Sequence, residues 1–293
     1  MTKGGAASQL GARRPPAARA RFARGLLAAA LLLAPGLAGC VSENAEQEIG
    51  DQVAAQISQQ LPLVRDPALN LYVNRLGKLI ARHSDRPDVP YRFYIVNSPA
   101  VNAFAIPGGH VYVNRGLIER THNVSELSAV LAHEIGHVAA RHGARTLERQ
   151  LRTGSLISVM YRVILGTEPE LLDQTALRMG SSLWTASNSR KAEMEADDLA
   201  VRYLIDAGVD PRGIVTFLDA LMREEAGSAK PTMEWFSTHP MTRTRIAETT
   251  KEIRRELPAG SPRLARDIAS YPAFLARVQQ LPRSPIPHPL PAP

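Results

Sequence analysis

Five residues, His133-Glu134-Ile135-Gly136-His137, constrain this chain more than any other feature. An α-helix turns about 100° per residue, so the two histidines share one face, one turn apart, and their imidazoles can hold a single Zn²⁺. Glu134 then points to the side, within reach of an attacking water. The flanking residues have the helical period, with apolar side chains at Leu127, Val130, Leu131, Ile135 and Val138. Asn123 followed by Glu126 reads as a capping box, and the spacing predicts one helix from there to about residue 150. A catalytic zinc needs a third protein ligand and an open fourth position. The fold must therefore bring a ligand to this helix from elsewhere in the chain.

One zinc-peptidase pattern supplies that ligand locally, with a Gly three and a His six residues after the second histidine. Here those positions are Ala140 and Gly143, so that class is excluded. His142 would sit about 140° round the helix from His137 and reads as structural or as the partner of a nearby carboxylate. The best external candidate is the stretch from Ser189 to Asp197. Glu193 and Asp197 are four residues apart, share a helix face, and sit beside an apolar stripe of Met194, Leu199, Tyr203 and Leu204. Glu193 could ligate zinc, and Asp197 could accept a hydrogen bond from the outer nitrogen of a ligand histidine. The alternative is a solvated acidic helix start, which the macrodipole favours.

The rest of the chain reads as helices at 42–60, 67–83, 188–207, 211–225 and 240–257. A strand is expected at 91–96, and a hairpin of 101–106 and 110–114 around Pro107-Gly108-Gly109. Residues 151–187 read as mixed helix and loop. The expected class is α+β, mostly α, with a small β element beside the active-site helix. The most apolar internal stretch, 155–165, is about 11 residues long and contains Arg162, too short to span a bilayer.

Charge and cysteine usage locate the chain. The formal charge is +7, but six of the 35 basic residues and none of the 28 acidic ones precede residue 40, so the remainder is nearly neutral. No basic stripe or Cys/His finger supports nucleic-acid binding. Arg24 is followed by an apolar run of about 10 residues and then Leu37-Ala38-Gly39-Cys40, a secretory signal. Cys40 is the one cysteine of the chain and stands where a bacterial lipobox places its lipidated residue. Acyl chains there would hold the protein on a membrane. Val41 after it resembles the outer-membrane sorting pattern. Residues 282–293 contain six prolines and read as an extended tail.

Five ordered motifs resemble the HtpX/BepA/LoiP-like zinc metallopeptidases, which include the CAAX prenyl endopeptidases. They are His133-Glu-Ile-Gly-His137 with Arg141-His142, and Asn102-Ala103-Phe104-Ala-Ile-Pro-Gly-Gly109. The others are Ser189-Arg190 with Glu193 and Asp197, Ala207-Gly-Val-Asp-Pro211, and Thr238-His239-Pro240 with Arg245. The resemblance spans 42–257. It implies a zincin-like (gluzincin) domain holding one Zn²⁺ on His133, His137 and Glu193, with Glu134 as general base and acid. It implies that His239 lies near the metal, either as a switch filling the fourth position or as a group stabilising the oxyanion. Before Pro240, His239 also suits a plain helix start. The strand carrying Asn102, Ala103 and Phe104 would pair with an extended substrate, although Phe104 also suits the core. His110, where many members have Tyr or Phe, reads as an ordinary strand residue.

The nearest layout is the short, lipidated periplasmic type: leader 1–39, peptidase domain 40–257, helical extension 258–281, tail 282–293. The expected function is a membrane-anchored metalloendopeptidase on the periplasmic face of the outer membrane, cleaving unfolded or misfolded envelope proteins. The alternative is a periplasmic chaperone or assembly factor with a closed zinc site. No motif for an exopeptidase is visible. The oligomeric state stays open.

Overall fold

The computed structural model describes residues 41–152, 190–227, 235, 238–240, 243–258, 260–261 and 263–282. The leader, Cys40, nearly all of the segment read as mixed helix and loop, and the proline-rich end after Pro282 lie outside the described residues.

Helix α1, Glu43–Gln60, begins where Ser42 Oγ accepts the Ala45 N–H. Helix α2, Pro67–Ala81, has Pro at its first turn, and Asp66 accepts the N–H groups of Ala68 and Leu69. Its buried stripe of Leu69, Val73, Leu76 and Ile80 faces the core. Three strands follow, β1 Arg92–Val96, β2 Ala103–Ile106 and β3 His110–Asn114, in the order β1-β3-β2. β2 and β3 form the expected antiparallel hairpin, and β1 runs parallel to β3. The hairpin turn needs its glycines, because Gly108 and Gly109 have φ of 84° and 88°. A one-turn helix, α3 Arg115–Ile118, leads into the centre of the molecule.

That centre is helix α4, Val124–Ala139. Every residue from Val124 to Val138 is buried, so it is enclosed on all sides rather than amphipathic. Asn123 Oδ1 caps the Glu126 N–H at 3.1 Å, but the Glu126 carboxylate reaches the N–H of His122 rather than that of the cap residue. The continuous helix expected to about residue 150 is corrected: α4 ends at Ala139 and α5, His142–Arg152, starts anew. Between them Arg141 adopts φ 57°, a left-handed conformation costly for a side-chain-bearing residue. Its guanidinium is held by Glu46 Oε2 at 2.8 Å and by the Val41 carbonyl. These tertiary bonds outweigh the local helical pattern.

Helices α6 (Arg190–Asp206), α7 (Arg212–Ala226), α8 (Arg243–Glu256) and α9 (Tyr271–Gln279) complete the fold, with α6 and α7 packed on α4. The class is α+β, mostly α, as the sequence predicts. Among the described residues no helix is long and apolar enough to cross a membrane.

The α4–α6 contact depends on a missing side chain. A Cβ on Gly136 would stand 2.9 Å from the Ala196 carbonyl oxygen and 3.2 Å from its Cα. Two backbones meet there, and neither can turn aside. Gly136→Ala gains up to about 1 kcal/mol in helix propensity, against about 1–3 kcal/mol for overpacking. We expect a net loss of stability together with weaker zinc retention, because the shift separates the helix carrying His133 and His137 from the one carrying Glu193. Thermal unfolding and metal analysis of the variant check both.

Candidate metal centre

Helix α4 supplies His133, Glu134 and His137, and α6 supplies Glu193 and Asp197. His239 comes from the turn just before α8, with its backbone N–H bonded to the Trp235 carbonyl. Glu134, Glu193 and His239 are fully buried, and His133 and His137 nearly so. One ligand atom from each of His133, His137, Glu193 and His239 lies within 4.8 Å of the others. The His133 and His137 Nε2 atoms stand 3.0 Å apart, and His239 Nδ1 is 3.2 Å from His133 Nε2 and 3.1 Å from Glu193 Oε2. Glu193 Oε1 is buried without a hydrogen bond, 3.3 Å from His137 Nε2. Three imidazole nitrogens and a carboxylate converging on one buried point are a zinc donor set, so the residues fit the metal.

Asp197 Oδ1 is 2.9 Å from Nδ1 of His133, the nitrogen turned away from the cluster. Behind it stands Arg245, from α8 and 2% exposed. Its guanidinium donates to both Asp197 oxygens (2.8 and 2.9 Å) and to Glu193 Oε2 (2.7 Å). Burial raises the Asp197 carboxyl, but Arg245 and His133 outweigh it and hold the group below its ordinary value. Glu193 is likewise held well below the carboxylate range, burial being overcome by His239, His133 and His137. Burial lowers His133, yet Asp197 and Glu193 prevail and lift it to about 9. Burial pushes His137 down to about 3 and depresses His239.

Glu134 differs from the other acids. Neither carboxylate oxygen makes a well-formed hydrogen bond, and the nearest cationic candidate is His239 Nε2 at 3.5 Å. Burial pushes its carboxyl up to about 8, with His133 and the Ala105 backbone opposing. A carboxylate that titrates near neutrality beside a metal centre can take and return a proton.

β2 lies along α4. The Asn102 carbonyl accepts from Asn114, so strand alternation turns Asn102 and Phe104 towards β3 and the backbone groups of Ala103 and Ala105 towards the outer edge. Of the three residues expected to line a substrate, only Ala103 therefore offers its backbone there. Phe104 is half-buried and stacks on Tyr112 with centroids 4.9 Å apart, its core alternative. Asn102 accepts from the Thr238 hydroxyl at 3.2 Å, and Val101 accepts from the Trp235 N–H, so Trp235 and Thr238 sit at the start of this edge. His142 meets Glu195 at 3.3 Å, the nearby carboxylate the sequence reading allows. His110 is a buried strand residue bonded to Asp51 at 2.7 Å, away from the metal ligands.

Sequence reasoning gave Arg245 no role and passed over Trp235, whose ring stacks on His239 at 4.1 Å and 26°. The signal for Arg245 was present: two carboxylates one turn apart on a buried helix face require a counter-charge. Trp235 gave no comparable signal.

A family model described as Peptidase family M48 matches residues 67–253. The Beta-barrel assembly-enhancing protease of Escherichia coli (strain K12) is 31% identical over 223 residues, 74% of this chain and 46% of that protein. The same-named protein of Yersinia pestis is 32% identical over 223 residues, again 74% and 46%. The Mitochondrial metalloendopeptidase OMA1 of Arabidopsis thaliana is 31% identical over 192 residues, 63% of this chain and 38% of that protein. The chain thus spans about half the length, or less, of these curated relatives.

Proposed function

This chain belongs to peptidase family M48, and from that premise we propose that it is a zinc-dependent endopeptidase that hydrolyses internal peptide bonds of unfolded or unassembled envelope proteins. The observation that carries the reading is Glu134, fully buried beside the His133–His137–Glu193 donor set with an elevated carboxyl. A purely structural metal site has no use for such a group.

Zinc, when bound by His133, His137 and Glu193, supplies Lewis-acid polarisation of the scissile carbonyl and a more acidic attacking water. Glu134 takes the proton from that water and returns it to the leaving amine. Asp197, fixed by Arg245, keeps the His133 ring turned with Nε2 towards the centre. The outer edge of β2 offers the Ala103 backbone to an extended chain, and backbone pairing of this kind ignores sequence. That suits substrates recognised by being unfolded. The names of the relatives, a beta-barrel assembly-enhancing protease and a mitochondrial metalloendopeptidase, support the same assignment.

His239 acts as a latch. It stands among the ligands, 3.1 Å from Glu193 Oε2, where an incoming water or carbonyl must go. We expect His239→Ala to raise casein hydrolysis severalfold at unchanged zinc content; a fall of about 10²-fold or more would give His239 the oxyanion role instead. The latch also favours a second reading, a chaperone or assembly factor with a permanently closed site. Chelator-sensitive cleavage of unfolded casein by the purified wild type supports the peptidase, and its absence from both wild type and His239→Ala supports the binding protein.

The leader ending at Leu37-Ala38-Gly39-Cys40 supports lipidation of Cys40 and anchoring at the periplasmic face of the outer membrane. Mass spectrometry of the mature N-terminal peptide tests it: an acylated Cys40 is expected, and an unmodified N-terminus beyond it overturns the anchor.

A further inference from the structure

His137 turns Nε2 to the metal centre, 3.0 Å from His133 Nε2, and turns Nδ1 away from it. That Nδ1 lies 2.8 Å from Nδ1 of another imidazole, His142, which is 5% exposed. Nε2 of His142 lies in turn 3.3 Å from Oε2 of Glu195, a partly exposed carboxylate on α6. The other ligand histidine is held differently, by the buried Asp197 directly.

A continuous helix would set His142 about 140° round from His137, out of reach. The left-handed residue between α4 and α5, Arg141 at φ 57°, re-aims the chain so that the rings meet. The strained residue therefore has a local product, an imidazole–imidazole contact that the helix pattern forbids.

The contact has a direction. Two ring nitrogens share one hydrogen only when one donates and the other accepts. A nitrogen that binds a metal carries no proton, so His137 with Nε2 at the centre keeps its proton on Nδ1 and donates it to His142. His142 accepts at Nδ1, carries its own proton on Nε2, and donates that to Glu195.

We propose that His142 and Glu195 are positioning residues, a relay that sets the tautomer and ring orientation of His137 and so governs how firmly the centre retains zinc. The inference rests on His137 being a zinc ligand. It makes a carboxylate at the protein surface a determinant of metal retention at a buried site.

The test uses the full-length zinc-loaded protein and measures zinc release to a chromogenic chelator. Replacing a group that orients a ligand histidine typically weakens metal binding by about 10–100-fold. His142→Leu should release zinc faster by that order. His142→Asn, whose Oδ1 can accept where Nδ1 did, should restore most of the retention, which a mere packing role would not predict. Glu195→Ala, at a partly exposed position that leaves the fold intact, should release zinc severalfold faster, and Glu195→Gln should stay near wild type. Long-range ¹H–¹⁵N spectra of the loaded wild type should show His142 protonated on Nε2. Wild-type retention in His142→Leu, equal weakness of the Asn and Leu variants, or a His142 proton on Nδ1 would each overturn the relay while leaving the zinc site standing. A wild type that binds no zinc overturns the relay and the ligand assignment together.

Discussion

Replacing Glu134 by Gln is expected to leave zinc content unchanged while lowering the hydrolysis of unfolded casein by about 10²–10⁴-fold. The side chain is fully buried, so the change keeps its shape and packing. It removes the one property argued for it, a proton affinity near neutrality produced by burial, with a carboxyl pushed up to about 8. An amide in that position can neither take a proton from water nor deliver one to an amine. Because Glu134 is not among the clustered donor atoms, metal retention should not follow activity down. Casein cleavage by the purified variant, read beside its zinc content, separates the outcomes: full residual activity removes Glu134 from the mechanism, and joint loss of zinc makes it structural. The inactive variant should also hold substrates it cannot cut, and mass spectrometry of chains captured with it in the native envelope would identify them.

Arg245→Met should produce the largest loss of stability. Arg245 is 2% exposed and donates to both oxygens of Asp197 and to Glu193. Methionine fills similar space but leaves two buried carboxylates on one helix turn with only the His133 imidazole to balance them. Removing one partner of a buried ionic set costs about 3–5 kcal/mol, a large share of the roughly 5–15 kcal/mol that holds a domain folded. Denaturant unfolding of the metal-free variant should show the full loss. Bound zinc should reduce it, since the ion supplies positive charge at Glu193. Adding Asp197→Asn should recover part of the deficit by removing one unpaired charge, although it weakens the hold on His133. If Arg245→Met unfolds at the wild-type denaturant concentration, the ionic cluster is not what holds α8 to α6.

The sequence was most legible where chemistry and periodicity coincide. His133 and His137 lie on one helix face by arithmetic, and Glu193 and Asp197 share another for the same reason, so both pairs and the helices under them could be read from spacing. The hairpin was legible because Pro107-Gly108-Gly109 permits a turn that few other residues allow. Less legible was whatever depends on distance across the fold. The parallel pairing of β1 with β3 has no signature in either strand. The break after α4 occurs at an arginine, a good helix former, and is imposed by Glu46 and Val41 from another part of the chain. Gly136 reads as a tolerated helix glycine until the Ala196 carbonyl is seen against it. The need for a counter-charge at Glu193 and Asp197 could be read from their spacing, but that Arg245 meets it, and that His142 touches His137 as well as Glu195, appears only when α8, α6 and α5 are brought together.

Trp235 gives the protein an optical property that follows from its place in the fold. Its indole lies face to face with the His239 imidazole, 4.1 Å between centroids, and the chain contains two tryptophans. Replacing Trp184 by Phe would leave a single tryptophan whose emission, excited beyond the tyrosine absorption, depends on whether that imidazole rests against it. Departure of His239 from the ligand cluster would then register as a fluorescence change in a stopped-flow mixing experiment, with no peptide bond cut and no label attached.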